Sequence, residues 1–155
     1  MTLEASRDPV ASEAAPDLPF GKRIMVVEDD PGLMGLYRIL LHARGYRVIA
    51  AEDGEEALAA FAREGAEIDL VIADVCLPRV GAVEMLSRMK VDGSLPRVLI
   101  CSGSVEYDIE LRLREVGAKW FLAKPFRNRE MLSEVERILH SPASASSSPS
   151  SSSSS

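Results

Sequence analysis

Apolar and polar positions along this chain fall into blocks whose period switches repeatedly. Ile24–Val27, Leu70–Ala73, Val98–Cys101 and Trp120–Ala123 are unbroken apolar runs, and Tyr46–Ala51 is apolar except for Arg47. Short runs of this kind predict strands buried on both faces of a sheet. Between and after them, apolar residues recur at helical spacing. The sets are Leu33, Leu36, Tyr37, Leu40 and Leu41; Ala57, Leu58, Phe61 and Ala62; Ala82, Met85, Leu86 and Met89; Val105, Ile109, Leu113 and Val116; and Met131, Leu132, Val135, Ile138 and Leu139. Gly45, Gly65 and Gly117 mark the ends of the first, second and fourth helices. Five βα units result. Right-handed crossovers then predict an α/β fold, a doubly wound five-stranded parallel sheet with helices on both faces and the flavodoxin-like strand order 2-1-3-4-5.

The pattern stops at both ends. Residues 1–20 are rich in Ala, Pro, Glu and Asp without apolar period and are expected to form a flexible arm. Residues 141–155 are serine with a few Pro and Ala, a low-complexity tail expected to be disordered. One domain is therefore expected at 21–140, with no output domain after it. The net charge of -6 argues against a nucleic-acid surface, which needs a basic stripe. Cys76 and Cys101 form neither a CxxC motif nor a disulfide framework. There is no secretory apolar segment and no membrane-length apolar run, so a cytoplasmic protein is expected.

In a doubly wound sheet, ligands bind beyond the carboxyl ends of the strands, near the switch in strand order. The first apolar run is followed by Glu28-Asp29-Asp30, the third by Asp74, the fourth by Ser102-Gly103 and the fifth by Lys124-Pro125. Asp30 before Pro31 fits a helix N-cap with proline at N1. Glu28, Asp29 and Asp74 make a pocket of hard oxygen donors whose mutual repulsion a divalent cation removes. Carboxylates without His or Cys suit Mg²⁺ rather than zinc. A carboxylate can also act as a nucleophile and form an aspartyl phosphate. Lys124 and the Ser102 hydroxyl would then neutralise the phosphoryl oxygens.

The motifs VVEDDP, DLVIADVCLP, VLICSGS and FLAKPF, in this order and at this spacing, resemble the receiver domain of two-component response regulators, here of a stand-alone single-domain type. The resemblance implies that Asp74 is the phosphoacceptor, four residues before Pro78. Asp29 would ligate Mg²⁺ directly, Glu28 through water, and Cys76 through its backbone carbonyl. Ser102 would be the switch hydroxyl, Phe121 the switch aromatic, and Ser104 a position that tunes dephosphorylation. Lys124 would be the phosphate-contacting lysine, with a cis bond to Pro125.

The implied partners are a sensor histidine kinase or histidine phosphotransfer protein as phosphodonor, and a downstream protein bound on the face of helix 4, strand 5 and helix 5. By the same resemblance the domain assists only its own phosphorylation and dephosphorylation and is no enzyme in the ordinary sense. One departure stands out: Pro78-Arg79-Val80-Gly81-Ala82 replaces the family's Pro-x-x-Asp-Gly. A pseudo-receiver that binds proteins without phosphotransfer is the alternative. A small-molecule aspartyl-phosphate hydrolase would need a second acid at position 76, and a flavin carrier would need a phosphate loop where three acids stand.

Overall fold

The computed structural model describes residues 21–77, 79–90, 94–103 and 106–141. The expected arm at 1–20, nearly all of the serine tail, and Pro78, Ser104 and Val105 lie outside the described residues. The strands are β1 (Arg23–Val27), β2 (Arg47–Ala51), β3 (Leu70–Asp74), β4 (Val98–Ser102) and β5 (Trp120–Ala123). The helices are α1 (Pro31–Ala43), α2 (Gly54–Glu64), α3 (Ala82–Met89), α4 (Tyr107–Val116) and α5 (Asn128–Leu139), with a short 3-10 turn at Gly65–Glu67. All strand pairs are parallel and the order is β2-β1-β3-β4-β5, as the alternation of blocks predicted.

Period-two alternation within each central strand divides the core into two layers. Met25, Val27, Val71, Ala73, Val98 and Ile100 pack under α2, α3 and α4. Ile24, Val26, Leu70, Ile72, Leu99 and Cys101 pack under α1 and α5. The three central strands are buried on both faces. The edge strands are not: in β2, Arg47 and Ala50 are exposed, and Trp120, Phe121 and Leu122 of β5 are half-buried. Helices centred on the inner strands cover the sheet margins incompletely, which corrects the expectation of burial on both faces for these two runs.

Local signals set the element ends. Asp30 accepts a hydrogen bond from Gly32 N–H and caps α1 ahead of Pro31. Gly45 adopts φ 88°, and Gly45 N–H and Tyr46 N–H return to the carbonyls of His42 and Leu41, closing α1. Gly65, by contrast, has φ -53°, so α2 tightens into the 3-10 turn rather than reversing there.

Candidate functional site

Strand register places the polar residues of four strands at one edge. Val27 pairs with Ala73, so Glu28 leaves β1 level with Asp74 at the end of β3. Asp74 pairs with Cys101, one residue before Ser102, and Ser102 pairs with Ala123, one residue before Lys124. The Lys124 N–H continues the ladder by donating to the Ser102 carbonyl at 2.9 Å. Residues 96 apart in sequence therefore meet because parallel strands all exit on the same side.

Carboxylate oxygens of Glu28, Asp29 and Asp74 lie within 4.8 Å of one another. Lys124 Nζ stands 3.2 Å from Glu28 Oε1 and 3.6 Å from Asp74 Oδ2, bridging the two acids. Glu28 is only 3% exposed, and its other oxygen accepts from Asp30 N–H at 3.2 Å. Burial pushes the Glu28 carboxyl above its ordinary range; the Asp30 N–H and the Lys124 charge pull the other way without overcoming it. Burial alone would lower Lys124, but Glu28 and Asp74 outweigh that, and the ammonium is held above its usual value. Asp74 Oδ1 receives Cys76 N–H at 3.4 Å, a long contact that brings the backbone of residue 76 back towards the carboxylate. One cation facing three acids leaves excess negative charge. Hard oxygen donors without a thiol or imidazole in the cluster fit a magnesium-type ion.

Every residue that the sequence singled out for this edge is there: Glu28, Asp29 and Asp74 cluster, Lys124 bridges, and Ser102 is buried beside them. Cys76 is an exposed free thiol after the strand. Phe121 sits off the cluster, in the layer under α4, with the Arg114 guanidinium carbon 4.3 Å above its ring centroid. The Lys124-Pro125 bond is cis.

Sequence reasoning missed three further features. Arg38 and Glu52 join Glu28 and Asp29 around a cavity of about 250 Å³ beside the cluster. Arg79, the one described non-glycine residue with positive φ (65°), reaches 3.3 Å from Asp53 Oδ2. Val80 packs so closely on Gly54 that a Cβ there would lie 2.3 Å from the Val80 carbonyl oxygen. Asp53 caps α2 by accepting from Glu56 N–H, and Arg79 is the second partner of its carboxylate. Gly81 has φ -71° and serves as the N-cap of α3, so the displaced glycine needs no glycine-only conformation. A larger cavity, about 710 Å³, opens among Phe61, Ile68, Met89 and Leu95 at the amino ends of the central strands, with no carboxylate in its wall. The acidic cluster lies at the other edge.

The response regulator receiver domain model matches residues 24–136. The transcriptional regulatory protein CpxR of Klebsiella pneumoniae is 33% identical over 117 residues, covering 76% of this chain and 49% of that protein. The alkaline phosphatase synthesis transcriptional regulatory protein PhoP of Bacillus subtilis is 35% identical over 119 residues, 76% of this chain and 48% of that protein. The chain spans about half the length of these curated relatives. Among solved structures, the chemotaxis protein CheY4 of Vibrio cholerae superposes with a TM-score of 0.69 at 25% identity, covering 76% of this chain and 98% of that one. A putative response regulator from Chloroflexus aurantiacus does so with a TM-score of 0.68 at 28% identity, covering 77% and 98%. With the sheet order, the acidic edge and the family match in agreement, this chain belongs to the receiver domain family of two-component response regulators.

Proposed function

We propose that Asp74 accepts a phosphoryl group from a histidine kinase or histidine phosphotransfer protein, and that the phosphorylated domain presents an altered protein-binding surface. The observation that carries this reading is the bridge from Lys124 Nζ to Glu28 at 3.2 Å and to Asp74 at 3.6 Å within a cluster of three acids. It puts a nucleophilic carboxylate beside both a fixed cation and a second, oxygen-rich charge site.

In the proposed step an Asp74 carboxylate oxygen attacks phosphorus, the P–N bond of the phosphohistidine breaks, and the imidazole leaves with the electron pair. Lys124 moves its charge from the two carboxylates to the incoming phosphoryl oxygens. The Ser102 hydroxyl donates to another of those oxygens. Receiver domains bind Mg²⁺ at such an acidic pocket, and Glu28, Asp29, Asp74 and the Cys76 carbonyl would hold it here; when bound it supplies charge neutralisation at the phosphoryl group. Ser102 and Phe121 then carry the change to the face of α4, β5 and α5, where a downstream protein binds. Dephosphorylation is hydrolysis within the same site, so the domain has no turnover on a separate substrate. Among the described residues no helix is long and apolar enough to cross a membrane, and the reading places the domain in the cytoplasm with its kinase partner.

Incubation with acetyl phosphate and Mg²⁺, followed by intact-mass measurement, tests the reading. The wild type should gain one phosphoryl mass that hydroxylamine removes, and Asp74→Ala should gain none. Equal labelling of the two proteins would overturn phosphorylation at Asp74, and no labelling of either would leave the protein-binding pseudo-receiver as the better account.

A further inference from the structure

Phe121 is held in an unusual way. Its ring lies on β5, an edge strand, and packs into the layer beneath α4. A phenyl ring has no hydroxyl through which to anchor, so packing and the charge above its face decide where it rests. That charge is Arg114, 4.3 Å from the ring centroid. The guanidinium is fixed in turn by Glu110: Arg114 Nε donates at 3.0 Å and Nη2 at 2.8 Å to the same carboxylate oxygen. Glu110 also lines a cavity of about 310 Å³ whose other walls include Ser102, Gly103, Phe121 and Leu122. The ring therefore carries the Arg114 clamp on its face and borders free volume that it shares with Ser102 and Glu110. An ordinary i,i+4 ion pair would steady α4 slightly and leave Phe121 untouched. Here the cation is shared between the helix and the strand.

We propose that Arg114, positioned by Glu110, is a latch that keeps the Phe121 ring against α4 and so sets how readily phosphorylation of Asp74 reorganises the α4–β5 face. The inference rests on the phosphoacceptor reading above and adds the regulation of that site by two residues outside it. The latch favours the unphosphorylated arrangement. By linkage, whatever releases it makes phosphorylation more favourable by the same factor.

The test uses the full chain carrying 4-fluorophenylalanine, with the Phe121 resonance assigned by Phe121→Leu, followed by 19F NMR before and after acetyl phosphate with Mg²⁺. Arg114→Ala should move the Phe121 signal of the unphosphorylated protein towards its phosphorylated position. It should also raise the phosphorylated fraction at limiting acetyl phosphate by about threefold, the scale of an exposed cation–π contact. Arg114→Lys should restore part of both effects, and Glu110→Gln should act in the same direction as Arg114→Ala but less. A wild-type ring signal and wild-type labelling in a folded Arg114→Ala would overturn the latch. A wild type that acetyl phosphate cannot label would overturn the Asp74 reading and the regulatory role with it, while the ring signal of the unphosphorylated variants would still judge the Arg114–Phe121 contact.

Discussion

Glu28 and Lys124 show how a single site stores opposed electrostatic terms. Glu28 is buried and its pKa is raised, so its ionised form subtracts from stability at pH values above its folded pKa, and that penalty disappears as pH falls below the ordinary value of 4.5. Lys124 has the opposite linkage. Its folded pKa lies above 10.5, so it contributes stability that is complete below 10.5 and is lost as pH rises through the folded value. Lys124→Met should therefore cost about 1–3 kcal/mol at pH 8, because it leaves the buried Glu28 carboxylate without its charged donor. In urea unfolding, the difference between variant and wild type should shrink as pH climbs past 10.5; a difference that stays constant to high pH would rule out the ion pair as its source. Asp29 is the exposed member of the cluster, with Lys124 nearer to the other two acids. Asp29→Asn should raise the metal-free melting temperature by about 2 °C, as relief of roughly 0.5 kcal/mol of like-charge repulsion would. On the proposed metal site, Mg²⁺ should raise the wild-type melting temperature further, and Asp29→Asn should abolish most of that rise. A fall in the metal-free melting temperature would contradict the repulsion account.

At the scale of elements, the loop from β3 to α3 is where the sequence was hardest to interpret and the structure is most informative. The strand-end acids, serine and lysine were legible because apolar runs locate strands and parallel strands share an exit edge. Nothing periodic announces that Arg79 in this loop will reach Asp53, or that Val80 will sit on Gly54, since both contacts depend on side-chain directions after the chain has left regular structure. Those contacts tie the described part of the loop after Asp74 to the start of α2. The strain of Arg79 at φ 65° is the local cost. Gly54→Ala should destabilise the domain by about 1–3 kcal/mol, since the new methyl cannot fit against backbone without moving the loop. Arg79→Gly should be close to neutral, losing the contact of an exposed guanidinium with a buried Asp53 carboxylate that keeps its Glu56 N–H partner, and relieving the left-handed backbone together. A large loss from Arg79→Gly beside a small one from Gly54→Ala, measured by urea denaturation, would show that the ion pair rather than the Gly54–Val80 packing anchors the loop.

Across the whole molecule, core burial is distributed unevenly, and it is thinnest at α4 and β5, two of the three elements of the proposed output face. α5 buries Met131, Leu132, Val135, Ile138 and Leu139, and α3 buries Ala82, Met85, Leu86 and Met89. α4 buries Leu113 alone among its described residues, with Ile109 and Val116 half-covered and Tyr107 and Leu111 exposed. Its neighbour β5 is an edge strand. Elements with few buried apolar contacts open at free energies well below that of global unfolding. Native-state hydrogen exchange should therefore find the amides of α4 opening at lower free energy than those of β1, β3 and α5. The latter should approach the global value, because opening any of them exposes the central layers. This gradient suits the proposed switch: an element that shifts is cheaper to move if little core holds it, and the Arg114–Phe121 contact adds to what Leu113, Ile109 and Val116 contribute in keeping α4 in place. Protection of α4 equal to that of α5 would remove the basis for treating α4 as the mobile part of the domain.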